Sequence, residues 1–201
     1  VTFCQNLSKD SISGKKNGPV PKIDVKKLFW SMMEISHSPD PWIFPALAAL
    51  QASRQFILMA LSNTVPFPSS HNRIFQSRMS DLRSMFDIFI SSSEIGLRKP
   101  DPNIYAYTLD RADKFAKSNA HTPRAYGLAW DQGVNADEVF FLDDIGENLK
   151  AGREAGFSTF KVILGRTWEA VDKLESISGL KLAGPEPCPM SPPRDKRDVK
   201  I

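Results

Sequence analysis

Ser62-Asn63-Thr64, Lys99 within Arg98-Lys99-Pro100-Asp101-Pro102, and the adjacent acids Asp143-Asp144 are the residues of this 201-residue chain best suited to chemistry. Adjacent carboxylates are oxygen ligands of the kind Mg²⁺ accepts, with water and a substrate phosphate completing the shell. A lysine supplies a point positive charge for phosphoryl oxygens. A Ser or Thr hydroxyl beside free backbone N–H groups holds one more oxygen. Phosphoryl transfer asks for little else: positioning, charge neutralisation and an in-line nucleophile. Each cluster alone has a plainer reading, as a turn, a surface lysine or a helix cap. Their common placement, each following a predicted strand, is what joins them.

The elements that must position these clusters are read from periodicity. Phe56–Leu61, Phe86–Ile90, Val139–Leu142 and Thr159–Leu164 are short continuous apolar runs, the pattern of strands buried on both faces. Amphipathic stretches predict helices at Asp24–Ile35, with Asp24 as cap, at Trp42–Ser53, near Gln76–Met85, from Asp101 to Lys117, across Glu147–Ala155, and from a Thr167 cap to Ile177. Pro102 suits a first helical position, and Gly156 and Gly179 suit positions just past helix ends. Strands alternating with helices imply parallel βαβ units, hence an α/β, Rossmann-type doubly wound sheet. In such a sheet ligands bind beyond the carboxyl ends of the strands, the edge on which all three clusters fall. Ser118–Asn135 lacks a period and reads as a surface insertion.

Residues 1–21 are polar and read as a disordered lead, and 183–201 as a disordered Pro-rich tail. The net charge of +3, with basic and acidic residues interleaved, gives no reason to expect nucleic acid as a partner. No apolar run is long enough to span a bilayer, so no membrane association is expected and the cytoplasm is the default compartment. Cys4 and Cys188 lie near opposite ends without metal-ligand spacing, and His37, His71 and His121 form none either. Trp30, Trp42, Phe56 and Phe140 read as packing residues.

ALSNT at Ala60–Thr64, GLRKPDPNIY at Gly96–Tyr105 and VFFLDDIGENLKAGREAG at Val139–Gly156 resemble the second, third and fourth motifs of the haloacid-dehalogenase (HAD) superfamily. The wording is similar to the branch of the epoxide hydrolase amino-terminal phosphatase domain. The resemblance runs from Asp24 to Leu182. It implies a helical cap, of which 22–55 would be a remnant, and an α/β core at 56–182. It also implies that Ser62 binds the phosphoryl group, Lys99 orients nucleophile and phosphate, Asn63 adds a substrate contact, and Asp143 and Asp144 serve Mg²⁺. The expected partner is a small phosphorylated metabolite.

One part of the pattern is missing. The family begins with a buried strand ending in Asp-x-Asp or Asp-x-Gly, whose first aspartate is the nucleophile. Asp10 lies in a polar stretch, Asp24 opens a helix and Asp87 lies in the run preceding the third motif. The core is therefore expected to lack its first strand and the site its nucleophile. Two readings follow: a fragment of a Mg²⁺-dependent phosphohydrolase, for which the start at Val1 is a hint, or a non-catalytic module that binds phosphate and metal. A 2-haloacid dehalogenase is the enzymatic alternative. The paired acids speak against it, since two uncompensated carboxylates would repel an anionic substrate.

Overall fold

A computed structural model describes residues 23–36, 39–64 and 82–184. The expected lead, most of the tail and most of the helix near Gln76–Met85 lie outside the described residues. The chain divides into two units, Val1–Ser38 and Pro39–Ile201.

Within the first unit, helix α1 spans Val25–Ser36. Its start is set as expected: the Asp24 carboxylate accepts a hydrogen bond from Lys27 N at 3.0 Å, covering one of the donors a helix start leaves open.

In the second unit, α2 (Ile43–Ser53) is followed by β1 (Met59–Ser62), β2 (Ile88–Ser91) and a single helical turn, α3 (Ser92–Ile95). Helix α4 (Pro102–Asn119) leads into three 3-10 turns, then β3 (Phe140–Asp143), α5 (Gly146–Glu154), β4 (Ser158–Lys161) and α6 (Trp168–Ser178). Asp101 caps α4 by accepting from Asn103 N at 2.8 Å, with Pro102 at the first helical position. Gly179 ends α6 with φ +69°, in the left-handed region that glycine enters without cost. Thr167 precedes α6 without capping it. Its hydroxyl instead donates to both oxygens of Asp40, 127 residues away, and the same Asp40 accepts Trp42 N and Ile43 N at the start of α2. One carboxylate thus ties the starts of two helices together. Ala46 and Leu50 of α2 share an apolar cluster with Val171 of α6 and Leu182. Helix α2, grouped with α1 in the sequence reading, therefore belongs to the same compact unit as the strands.

Both strand pairs are parallel, as α/β alternation requires. β1 pairs with β2, with Ser62 opposite Ser91, and β3 pairs with β4, with Asp143 opposite Lys161. Among the described residues the strands make two two-stranded sheets, with no ladder between them. What joins the halves is side chains. Ile104 and Tyr105 of α4 and Phe157 form a buried cluster against which Leu61 of β1 and Phe141 of β3 both pack. Gly152 lets α5 come close to β3: a Cβ there would stand 3.0 Å from a ring carbon of Phe141.

The segment read as a surface insertion is more than surface. Ala125 and Trp130 are buried with Ala116 of α4. The Arg124 guanidinium donates to Asp87 at 2.7 Å and to the Phe56 carbonyl, and stacks 5.2 Å over Trp130. Pairing with Asp87 holds the Arg124 pKa above its ordinary value, against the opposing effect of burial. No helix among the described residues is long and apolar enough to cross a membrane.

Candidate active site

The carboxyl ends of β1 and β3 come together at one ammonium group. Lys99, in the loop before α4, extends its Nζ to the Leu61 carbonyl at 2.7 Å and to Asp143 Oδ2 at 2.6 Å. The Lys99 and Asp143 side chains are only 10% and 5% exposed. Of the three donors on the ammonium, two are thus spent, and among the described residues no further acceptor takes the third. The pairing offsets the cost of burying either charge alone. The ammonium also lies 5.5 Å from the Phe141 ring centre.

Asp143 ends β3 and is held from three sides. Oδ1 accepts from Ile145 N at 2.8 Å and from Asn148 Nδ2 at 3.0 Å, while Oδ2 takes the lysine. Asn148 is buried in the first turn of α5, and its carbonyl accepts the Tyr105 hydroxyl at 2.8 Å. Tyr105 is fully buried, its ring edge-on to Phe141 and Phe157. Burial, reinforced by the nearby Asp143 charge, pushes its hydroxyl pKa up to about 12. A chain of contacts thus runs from α4 through Tyr105 and Asn148 to Asp143 and Lys99.

The remaining predicted residues fall nearby in three different ways. Ser62 ends β1, half-buried, and Asp144 follows Asp143 as an exposed carboxylate; among the described residues no hydrogen bond or ion pair engages either side chain. Asn63 does not point its amide out as a spare group. Its Oδ1 accepts from Lys99 N and its Nδ2 donates to the Lys99 carbonyl, both at 2.9 Å. Thr64 turns to β2 instead: its hydroxyl lies 2.6 Å from Ser91 Oγ and 2.9 Å from Ser93 Oγ. The Leu61 carbonyl, Asn148 and Tyr105 lie inside the quoted motifs, but the motifs assigned them no site role. Asn148 carried a signal, one turn into a helix five residues after Asp143. Tyr105 carried another, since Tyr105, Thr108, Ala112 and Ala116 repeat at helical spacing on the buried face of α4.

Asp143 and Asp144 are the described residues that could meet Mg²⁺. Among the described residues no group of three or more His, Cys, Asp or Glu side chains stands ready to hold a metal. The donors fit an ion that takes one or two carboxylates and keeps its water and phosphate ligands, which is how Mg²⁺ binds in phosphoryl-transfer sites. They do not fit a dedicated cage. Asp87 is no substitute nucleophile: it accepts from Leu58 N at 2.8 Å, just before β1, about 10 Å from Leu61 at strand rise.

No family model matches the chain. Against curated proteins, it is 32% identical to bifunctional epoxide hydrolase 2 of Rattus norvegicus over 148 residues, 73% of this chain and 23% of that protein. It is 27% identical to D-ribitol-5-phosphate phosphatase of Bacteroides thetaiotaomicron over 117 residues, 57% of this chain and 47% of that protein. Among solved structures, a dehalogenase with an intermediate complex matches with a TM-score of 0.50 at 22% identity, covering 78% of this chain and 64% of that one. The chain belongs to the HAD-like hydrolase superfamily. It spans less than a quarter of the rat epoxide hydrolase. In this HAD-like chain the second, third and fourth motifs end β1, precede α4 and end β3, and Lys99 draws them to one point.

Proposed function

We propose that this HAD-like chain carries the phosphate- and metal-binding part of a Mg²⁺-dependent phosphohydrolase acting on a small phosphate ester, with the nucleophile supplied from outside the described residues. The observation that carries the reading is the Lys99 ammonium, held between Leu61 and Asp143 with one donor not taken up among the described residues, and with the exposed Asp144 next in sequence to Asp143. Ser62 and Lys99 would take the phosphoryl oxygens. Asp144, with Asp143 behind it, would face Mg²⁺, which supplies charge neutralisation when bound. Two carboxylates beside an anionic substrate suit a cation more than they suit halide release.

The test is phosphate release from small phosphate esters and halide release from 2-haloacids, each with and without Mg²⁺. Both are measured on the chain alone and on a version joined to a strand ending in Asp-x-Asp. Mg²⁺-stimulated phosphate release by the joined form is the expected result. Metal-independent halide release would replace the reading with a dehalogenase. A second reading, a binding module without turnover, is favoured by the lack of a further carboxylate bonded to Lys99 among the described residues. Saturable binding of Mg²⁺ and phosphate with no turnover in either form would establish it.

A further inference from the structure

Asn63 is the first residue past β1, and it grips the main chain of a residue 36 positions away. Its Oδ1 accepts from Lys99 N and its Nδ2 donates to Lys99 O, each at 2.9 Å. A residue in an antiparallel ladder exchanges the same two bonds with its partner, so the amide acts as one residue of a missing strand. The opposite end of Lys99 is fixed as well, through Leu61 O at 2.7 Å and Asp143 Oδ2 at 2.6 Å. A lysine stem is long and loses much rotamer freedom when its tip is held. Anchoring the main chain at the root fixes the point from which that stem must reach. An amide turned to this task is directed at Lys99 and not at a ligand.

The geometry points to Asn63 as a positioning residue that acts on bound phosphate through Lys99, and not as a phosphate ligand. The inference rests on the phosphohydrolase reading for its ligand, but the Asn63–Lys99 coupling can be measured apart from it.

The first measurement is a double-mutant cycle. The wild-type chain, Asn63→Ala, Lys99→Met and the double variant are titrated calorimetrically with inorganic phosphate in the presence of Mg²⁺. Asn63→Ala is expected to weaken binding about tenfold, the scale of one or two hydrogen bonds. In the Lys99→Met background the same change should move affinity less than about twofold, because coupled residues are not additive. An equal loss in both backgrounds would mark Asn63 as a direct ligand and overturn the proposal. The second measurement needs no ligand: the ¹⁵N signal of the Lys99 ammonium, which two bonds and burial should keep in slow exchange. Asn63→Ala is expected to shift or broaden it while the Trp130 indole signal, remote in the fold, stays in place. An unchanged ammonium signal would overturn the proposal, and so would a global disturbance that moves Trp130 equally. If wild type binds no phosphate, the functional reading falls and the ammonium signal alone decides on Asn63. Should Asn63→Ala not fold, Asn63→Asp makes the same comparison, since it keeps the acceptor for Lys99 N and loses the donor to Lys99 O.

Discussion

Replacing Lys99 by methionine keeps the stem and removes the charge, and the structure sets the size of the effect. The pair it breaks has side chains 10% and 5% exposed, so Asp143 is left as a nearly buried carboxylate. Its Oδ1 keeps Ile145 N and Asn148 Nδ2, but Oδ2 loses the lysine, and the Leu61 carbonyl loses Nζ. Breaking a buried pair from one side costs about 3–5 kcal/mol. That is a large share of a typical margin of about 5–15 kcal/mol. At about 2–4 °C per kcal/mol for a chain of this size, the melting temperature should fall by roughly 6–20 °C. Neutralising the partner too, in Lys99→Met with Asp143→Asn, removes the stranded charge, keeps Oδ1 as acceptor for Ile145 N and Asn148 Nδ2, and should recover most of the loss. Scanning calorimetry with urea melts at neutral pH measures both. A loss below about 1 kcal/mol for Lys99→Met, the worth of an exposed ion pair, would refute the reasoning. A double variant no more stable than the single one would refute it as well.

Asp144→Asn should leave the melt unchanged, because the side chain is exposed and unengaged, yet weaken Mg²⁺ binding at least tenfold by calorimetry; Asp143→Asn should lower both. Tyr105 stays neutral in the fold up to about 12, above its unfolded value of roughly 10. Its contribution to stability is therefore full below the unfolded value and lost as pH rises through the folded one, and Tyr105→Phe should flatten that alkaline fall in a series of melts. Glu175 accepts Leu182 N at 2.6 Å and Ala183 N at 2.7 Å, bonds that hold its pKa below the usual glutamate range. Its contribution is present above that range and disappears as pH falls through the lowered value, so the protection of the Leu182 and Ala183 amides, taken relative to their intrinsic exchange rates, should fall in acid and stay constant with pH in Glu175→Gln. Gly152→Val should destabilise by about 1–3 kcal/mol through overpacking against Phe141, seen as a lower urea midpoint.

The strands were legible because buried parallel strands are written as short apolar runs. FILMAL, FDIFI and VFFL each gave a strand, shifted toward the carboxyl end, with β1 at Met59–Ser62, β2 at Ile88–Ser91 and β3 at Phe140–Asp143. The shift has a cause at β1: the Leu58 carbonyl takes Asp87 N and Ile88 N, so pairing begins there. Asp101, Pro102 and Gly179 marked helix ends through local chemistry, which sequence carries directly. Thr167 did not, because a distant Asp40 outcompeted the helix for its hydroxyl. The burial of Trp130 and the role of Arg124 depended on partners from Arg54 to Asp87, and no local period announces such pairings. At the site, residue types pointed to Lys99 and Asp143, whereas the direction of the Asn63 amide required three dimensions.

The division into two strand pairs also bears on how the chain reaches its fold. β1–β2 and β3–β4 each close within one stretch of sequence, Met59–Ser91 and Phe140–Lys161, so each pair can nucleate at a modest loop-closure cost before the other exists. Among the described residues their joining gains no ladder bonds. It gains the packing of Leu61 and Phe141 on α4 and a single ammonium spanning both strand ends. The contacts that assemble the site are then expected to form last and to open first in a partial unfolding unit, and a ligand bound there would act as the clasp that makes two folding units behave as one.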